Sequence, residues 1–388
     1  MEDEGYVPEE GITNSEELNH QLEARFFAVG TNPYCVWDWD LHERNLEYME
    51  SLDPDYFDYV GRANLAHLDS EDPKERRRAA TAIRTAYHHG LESFFALLFA
   101  TLQAPWCVVG WMQAYSPADL REMVKAIDPR LWGKGEQRKQ MQAFRKKLLP
   151  FVWVKPRAFL WWKGVSRAIH WLDGEEEVAK IQEHFGDLWH RFAKDLVNDT
   201  FVSEYNSIKH GLRAGFGGFY MLIGPEAVPG EPPPAEAMHS LGSSEHGASF
   251  FTPRTFVDYP DARDKSARLG HGRRQQFYFR LRRQALNWDP KGLCDALSLV
   301  SSSIYNVRSF ARWVNGVDPT GLQFAIPEEE SFRRPLGRLA GIASSNMDSV
   351  VLKEDVQLFE RDELEAEIRR GLSGLRERLD PASPPSED

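Results

Sequence analysis

The stretch DPKERRRAATAIRTAYHHGLESFFALLFATLQAP, Asp72–Pro105, decides the fold class of this chain. Asp72 stands directly before Pro73, and Glu75 occupies the third helical position, a combination typical of a helix N-terminus. The first third of the stretch is charged, whereas its last third, ESFFALLFATL, is apolar on all sides. Such a helix begins at the surface of a protein and ends in its core. The stretch therefore predicts one long helix that ends just before Pro105.

The regions on both sides of this helix carry similar signals. Ser116-Pro117 opens one further segment, and Asp289-Pro290 opens another by the same capping pattern. Together the segments predict a multi-helix bundle, so the expected fold class is mainly α. They cover residues 14–29, 53–68, 116–127, 136–149, 156–171, 173–198, 200–214, 289–315 and 354–379.

A different pattern appears between the helices predicted at 200–214 and 289–315. Phe277, Phe279 and Leu281 alternate with polar residues, which is the period-two spacing of a strand with one apolar face. A possible strand at 219–223 and a loop rich in Gly and Pro precede it. We therefore predict a small antiparallel β insertion within the bundle.

The predicted domain organisation follows from these changes of pattern. The terminal segments are polar and poor in apolar residues, so we expect them to be disordered. The expected parts are a disordered N-terminus at 1–12, a helical bundle at 13–215, the β insertion at 216–288, returning and C-terminal helices at 289–380, and a disordered tail at 381–388.

Composition restricts the class of partner and the compartment. A net charge of -12 repels polyanions, so nucleic-acid binding requires a local basic patch. The 3 Cys residues are far apart and lack metal-binding spacing, which suits a reducing cytosol. The N-terminus is acidic and has no apolar signal region, so the expected location is the cytoplasm. Gln103 and Pro105 interrupt the apolar run Ser93–Met112, which predicts two buried helix segments rather than a membrane span.

The best single candidate for a site is the stretch EYNSIKHGLRAG, Glu204–Gly215. Asn206, His210 and Arg213 share a helix face, and Lys209 lies beside them. A His beside two cations is the minimum set for metal-free RNA cleavage that uses the 2′-hydroxyl as the nucleophile. The alternative is that the basic residues complement the dipole at the C-terminal end of their helix.

The YNSIKHG segment resembles the Asn-x-x-Lys-His element of HEPN-type helical proteins, which include RNA-cleaving effectors of bacterial phage defence and abortive infection. The resemblance covers roughly residues 70–315. It implies that His210 is the acid/base or orienting group and that Asn206, Lys209 and Arg213 hold phosphate. The stretch Arg84-Thr-Ala-Tyr-His88-His89 also fits the Arg-to-His spacing of these proteins. Arg84 and His88 share a helix face and are the expected partners of His210 across the bundle, which the adjacent His89 could also reach.

Basic and aromatic residues also mix near the strand of the β insertion. Arg side chains hold phosphates, and an exposed aromatic ring stacks on a base, so the mixture predicts a platform for single-stranded RNA. The alternative is an edge strand whose charges prevent aggregation. The residues chosen for this nucleic-acid interface are Arg273, Arg274, Tyr278, Arg280 and Arg282.

Metal and cofactor chemistry receives little support from the sequence. Glu17-x-x-His20 and Asp187-x-x-His190 fit a di-iron bundle loosely, but such matches are expected by chance in this composition. The sequence contains no phosphate-binding glycine loop and no nucleophile elbow. We therefore predict no metal and no cofactor.

Two functional hypotheses follow. The first is a HEPN-like, RNA-acting protein, a possible metal-independent endoribonuclease of bacterial defence or stress. The second is a non-catalytic helical protein that binds a partner or senses a ligand. The apolar stripe Ile304, Val307 and Phe310 and the charged C-terminal helix indicate a homo-oligomer or a protein partner under either hypothesis.

Overall fold

The structure is a computed structural model of the chain. It describes residues 26–29, 32–36, 39–154, 156–170, 176–210, 213–218, 220–226, 228, 231, 233–256, 278–318, 323–333, 353–357, 362, 365–366 and 368–371. The chain divides into two compact units, the first comprising Met1–Ser249 with Leu286–Asp348 and the second Phe250–Ala285 with Ser349–Asp388. As the sequence predicts, the fold is mainly α with a small antiparallel β insertion.

The helices of the first unit make up most of its described residues. Short 3-10 turns at Ala66–Asp69, Pro129–Leu131, Leu149–Phe151 and Pro156–Leu160 connect some of them. The α-helices are α1 (Trp39–Ser51), α2 (Tyr56–Leu65), α3 (Pro73–Gln103), α4 (Val108–Ala114), α5 (Pro117–Ile127), α6 (Glu136–Leu148), α7 (Trp162–Ile169), α8 (Glu176–Leu196), α9 (Asp199–Lys209), α10 (Pro290–Val314) and α11 (Glu329–Arg333).

The strands form antiparallel pairs. β1 (Phe26–Val29) pairs with β2 (Asn32–Val36), and β4 (Tyr220–Ile223) pairs with β5 (His239–Ser243). β3 (Ala214–Phe216) follows α9 closely in the chain. The remaining strands are β6 (Gly247–Phe256), β7 (Tyr278–Asn287) and β8 (Lys353–Gln357), and β7 lies between the other two.

Helix α3 is the long helix that the sequence predicts, and it forms the centre of the first unit. The side chain of Asp72 accepts a hydrogen bond from the backbone N–H of Lys74, at 2.9 Å, which caps the helix start. From Ala79 onward most of the helix is buried, including Phe94 and Phe99. Burying each such side chain contributes roughly 1.5–3 kcal/mol.

The break after α3 is also the predicted one. The run Ser93–Met112 forms the end of α3 and the start of α4, which meet at Pro105. The side-chain amides of Asn45 and Asn315 both donate to the Pro105 carbonyl, at 3.2 and 2.8 Å, which satisfies a buried acceptor that the helix ladder leaves unpaired. Among the described residues, no helix combines the length and apolar character that crossing a membrane requires.

Three predicted boundaries need correction. The sequence predicts a helix running to Val29, but Phe26–Val29 is β1, because its apolar residues pair with the neighbouring strand. It also predicts a helix from Glu354, but Lys353–Gln357 is β8. In β8 the backbone pairs antiparallel with β7, with Asp355 opposite Arg280 in register, and this pairing replaces the helix. The third is the helix expected to run to 214, which ends at Lys209.

Several predictions concern residues outside the described part of the chain. These include both terminal segments, 1–12 and 381–388, and the interface residues Arg273 and Arg274. The other interface residues, Tyr278, Arg280 and Arg282, occupy alternate positions of β7 and pair in register with Gln357, Asp355 and Lys353 of β8. The strand predicted there is therefore confirmed at the level of the backbone.

Candidate functional site

Helices α3 and α9 carry most of the residues of two neighbouring sites. Side chains three, four and seven positions apart share a helix face, so each helix offers two neighbouring stripes to the other. One pair of stripes is buried and forms a charged cluster. The other pair lines an open cleft. Both lie within the first unit.

The buried cluster centres on Glu204, the first residue of the candidate stretch. Arg84 donates to its Oε2 from Nη2 at 2.6 Å and from Nε at 3.1 Å. The Nε2 atom of His88 lies 3.2 Å from the same oxygen. Trp288 donates from Nε1 to the other carboxylate oxygen, Oε1, at 2.6 Å. We refer to these four residues as the Glu204 cluster.

The charges in the Glu204 cluster set the protonation states. Burial acts to raise the pKa of Glu204, but Arg84 and the hydrogen bond from His88 outweigh it and lower that pKa to about 2. Burial and the charge of Arg84 lower the pKa of His88 to about 4, against the opposing effect of Glu204. At neutral pH the cluster is therefore an Arg84–Glu204 ion pair joined by a neutral His88 that donates from Nε2.

The Glu204 cluster is closed to solvent. The side chains of Arg84 and Glu204 are 0% exposed, and that of His88 is 6% exposed. The rings of Phe201 and Tyr205 cover the cluster, with the Arg84 guanidinium 4.9 Å from the Phe201 centroid and the His88 ring stacked on Tyr205 at 5.1 Å. In this structure Arg84 and His88 contact Glu204, and their assignment as partners of His210 in catalysis stays a prediction.

The open stripes of the same helices form a cleft of about 430 Å³, which we call the polar cleft. Helix α3 supplies residues at positions 85, 89, 92 and 93, and α9 supplies those at 205, 208 and 209. Tyr115, which follows α4, completes the wall. The lining residues are Thr85, His89, Glu92, Ser93, Tyr115, Tyr205, Ile208 and Lys209.

Glu92 is the electrostatic centre of the polar cleft. The Nζ atom of Lys209 lies 3.8 Å from its Oε2 and 5.3 Å from the centroid of the Tyr205 ring. Burial and the charge of Glu92, which accepts a hydrogen bond from the hydroxyl, raise the pKa of Tyr205 well above its usual range. Tyr205 therefore stays protonated at neutral pH and holds the carboxylate in place.

His89 is the titratable imidazole of the polar cleft. Partial burial lowers its pKa, and Lys209 adds to the effect while Glu92 opposes it. The ring also contacts Phe57 edge-on, with centroids 5.3 Å apart. Because its pKa is depressed, His89 is neutral at pH 7 and has a nitrogen available to accept a proton.

The other predicted site residues of the candidate stretch, Asn206, His210 and Arg213, are exposed. The backbone N–H of His210 donates to the Asn206 carbonyl at 3.0 Å, so His210 is the C-cap of α9. Because α9 ends at Lys209, Arg213 does not share a helix face with Asn206 and His210 as predicted. Of the predicted site residues that the structure describes, Lys209 lines the polar cleft, and so does His89 of the adjacent His pair.

A second pocket, of about 340 Å³, adjoins the polar cleft, and His89 and Ser93 line both. Its walls are mainly apolar and come from α1, α2, α3, α4 and α10. We call it the apolar pocket. Its other lining residues are Tyr48, Ser51, Leu52, Asp53, Tyr56, Phe57, Leu97, Met112 and Ile304.

Sequence reasoning missed three residues of these sites. Glu204 has no predicted role beyond opening the stretch, although a Glu on the apolar side of an amphipathic helix is itself a signal of a buried charge. Trp288 and Tyr115 lie far from α9 in sequence and carry no local signal. His89 is singled out by the sequence only together with His88, as one of two adjacent His residues that could meet His210 across the bundle.

The described residues contain no group of three or more His, Cys, Asp or Glu side chains placed to hold a metal ion. Of the two loose di-iron matches, Glu17 and His20 lie outside the described residues. Asp187 Oδ2 is 3.4 Å from Lys163 Nζ, and His190 Nδ1 is 2.7 Å from Asp128 Oδ2, so these two side chains contact different partners.

Comparison of the chain with known protein families, with curated proteins and with solved structures finds no match in any of the three.

Proposed function

We propose that this chain is an RNA-acting protein, a candidate metal-independent endoribonuclease, whose reaction centre is the polar cleft. The observation that carries the proposal is that His89, a neutral imidazole, shares a solvent-reachable cleft with the cation of Lys209. Asn206 on α9, and His210 and Arg213 beyond its end, are exposed next to Lys209 in the sequence. On this proposal His89, rather than the buried His88, is the reacting imidazole.

The proposed step is an intramolecular phosphoryl transfer. His89 takes the proton from a ribose 2′-hydroxyl, whose oxygen then attacks the adjacent phosphorus. The bond from phosphorus to the 5′ oxygen breaks, leaving a 2′,3′-cyclic phosphate, and the departing oxygen takes a proton from a second group. Lys209 and His210 at the end of α9 are the candidates for that donor. Lys209 and Arg213 also offset the charge that builds up on the phosphoryl oxygens.

The test is incubation of the purified chain with a mixed pool of single-stranded RNA, with and without a chelator. We expect cleavage that resists the chelator and leaves 2′,3′-cyclic phosphate ends. His89→Ala should lower the rate by about 10²–10⁴, the usual contribution of a positioned acid/base group. His239→Ala removes an exposed imidazole from β5, away from the cleft residues, and serves as the matched control.

Two results would overturn this proposal. One is a wild-type protein that is folded and inert toward RNA. The other is cleavage that His89→Ala leaves unchanged, because the activity would then belong to another site or to a contaminating nuclease. His210→Ala belongs in the same series, since the resemblance to HEPN-type proteins assigns that residue the central role.

A second candidate function is favoured by the apolar pocket. A cleft with a cation at one end and an apolar extension at the other suits an anionic ligand with an apolar body. On this alternative the protein senses a small amphipathic molecule and carries out no chemistry. The ligand's head would pair with Lys209, and its apolar part would contact Leu97, Met112 and Ile304.

Calorimetric titration with octanoate, with acetate as the control for the head group alone, tests the second candidate. Binding of octanoate that weakens at least tenfold in both Lys209→Gln and Met112→Glu, with no binding of acetate, would support ligand sensing. Absence of octanoate binding, or binding that neither substitution affects, would count against it.

A further inference from the structure

Helix α6 and the loop before it carry the most concentrated positive charge in the described part of the first unit. The sequence from 130 to 147 contains seven basic residues and a single carboxylate, Glu136, in a chain whose net charge is -12. The basic residues are Arg130, Lys134, Arg138, Lys139, Arg145, Lys146 and Lys147.

Most of these basic side chains lie on the outer face of α6. Its apolar residues Met141, Phe144 and Leu148 pack against the core, and Leu148 is fully buried. Arg130 pairs with Asp128 at 2.8 Å and Lys139 with Glu136 at 3.6 Å. Lys146 and Lys147 are exposed, and within the described residues neither has an ion-pair partner. The charge of Lys146 and Lys147 is therefore available to a partner rather than neutralised within the fold.

Trp132 holds part of this face in place. Its indole N–H donates to the Lys125 carbonyl at 2.7 Å, which fixes the ring. The guanidinium of Arg145 lies 4.5 Å from the ring centroid and that of Arg138 lies 5.8 Å from it. Cation–π contacts of this kind order Arg side chains without neutralising them, which lowers the entropy cost of binding an anion.

We propose that the outer face of α6, with Lys134, is a binding surface for the phosphate backbone of single-stranded RNA. This inference rests on the proposed function, because RNA is the polyanion that the protein is proposed to act on. Complementary charge favours a polyanion, and the inward packing of Met141, Phe144 and Leu148 leaves no apolar stripe on α6 to insert into a lipid bilayer. The surface holds the strand and takes no part in the chemical step.

The test is the affinity of the full chain for a fluorescein-labelled single-stranded RNA as a function of salt concentration. Lys146→Glu/Lys147→Glu reverses two exposed charges of this face. We expect it to weaken binding at least tenfold and to reduce the slope of log K against log salt by about 0.7 for each phosphate that the surface no longer neutralises. Arg77→Glu/Arg78→Glu makes the same change of net charge at two positions near the start of α3 and should change affinity much less.

The outcomes separate this inference from the proposed function. In a His89→Ala background, which lacks the proposed reacting group, Lys146→Glu/Lys147→Glu should still weaken RNA binding at least tenfold, since α6 is intact. RNA binding that depends on Lys146 and Lys147, without any cleavage, would support the binding surface and contradict the proposed endoribonuclease activity. If RNA is cleaved and both double variants, Lys146→Glu/Lys147→Glu and Arg77→Glu/Arg78→Glu, lose affinity equally, the binding surface is contradicted and the proposed endoribonuclease activity is not. Binding to phosphatidylserine vesicles in preference to RNA overturns it as well.

Discussion

Arg84 and Glu204, 120 residues apart in sequence, form an ion pair in the interior of the first unit, with Nη2 and Oε2 separated by 2.6 Å. The other carboxylate oxygen of Glu204, Oε1, accepts a hydrogen bond from Trp288 Nε1. His88 Nε2 contacts Oε2, the same oxygen that Arg84 contacts. A buried ion pair is costly to form because both charges lose water, and it is more costly to break because the remaining charge is left unpaired. The Glu204 cluster therefore ties α3 and α9 to the start of α10.

Removal of one partner from this pair should destabilise the fold strongly. We expect Glu204→Ala to lower the free energy of unfolding in urea by roughly 3–5 kcal/mol, because it leaves Arg84 charged and buried. Glu122→Ala, at an exposed position of α5, is the control and should change it by less than about 0.5 kcal/mol. A loss below about 1 kcal/mol for Glu204→Ala would show that water or a rearranged partner satisfies Arg84.

The same cluster predicts how stability depends on pH. For His88 the pKa falls from 6.5 in the unfolded chain to about 4 in the folded one, so stability is full above pH 6.5 and declines as pH falls toward 4. For Glu204 the pKa falls from 4.5 to about 2, so its contribution is lost between pH 4.5 and 2. Both groups therefore lower the stability of the fold as the pH falls, His88 first and Glu204 at lower pH.

Urea unfolding of wild type and His88→Gln at pH 7.5, 5.5 and 4.5 isolates the pH range in which His88 titrates. His170 also has its pKa lowered by burial to about 4, so it contributes the same decline to both proteins and cancels in the comparison. We expect the wild type to lose more stability than the variant between pH 7.5 and 4.5, by at most on the order of 3 kcal/mol. Parallel curves would mean that folding does not change the pKa of His88.

The polar cleft makes a prediction about His89 that does not depend on activity. Lys209 lowers the pKa of His89 and Glu92 raises it, so the two substitutions should act in opposite directions. Lys209→Gln should raise that pKa, and Glu92→Gln should lower it. Titration of the His89 ring protons by NMR measures both shifts, with Lys180→Gln on α8 as the charge-matched control. Shifts of the same sign in the two variants would contradict the geometry of the cleft.

Close helix packing predicts the effect of two glycine substitutions. A Cβ atom on Gly186 of α8 would lie 2.7 Å from the Cα atom of Lys163, which is backbone and cannot turn aside. Gly186→Ala should therefore destabilise the fold by about 1–3 kcal/mol. Gly90→Ala on α3 meets the side chain of Val300 at 3.1 Å and gains roughly 1 kcal/mol of helix propensity, so it should be nearly neutral. Thermal or urea unfolding measures both effects, and an equal loss of stability in Gly186→Ala and Gly90→Ala would contradict this ranking.

Local signals predicted most of the helices correctly. Asp72, Ser116 and Asp289 each cap the helix expected of them, and Pro105 ends α3 where expected. Such signals depend on residues within one turn of each other, so a single sequence contains them. The strand at Lys353–Gln357 could not be predicted this way, because it exists by pairing with β7, a distant part of the chain.

In the candidate site, too, local features of the sequence were predictable and contacts between distant parts of the chain were not. The helical repeat placed Arg84 and His88 on one stripe of α3, and the structure has them on one stripe. What the repeat could not predict was which stripe is buried, because that depends on Glu204 and Trp288, which arrive from distant parts of the chain. His89, one position further round the helix, consequently lies in the polar cleft while His88 is enclosed.

Helix α3 carries the buried Arg84, the cleft residues His89 and Glu92, and the core residues that follow, all on one uninterrupted run of turns. A single residue inserted between Arg84 and His89 would rotate every later side chain by about 100° relative to the earlier ones. The ion pair, the cleft and the core would then lose register together. This segment should tolerate a substitution at its exposed positions far better than any change in its length.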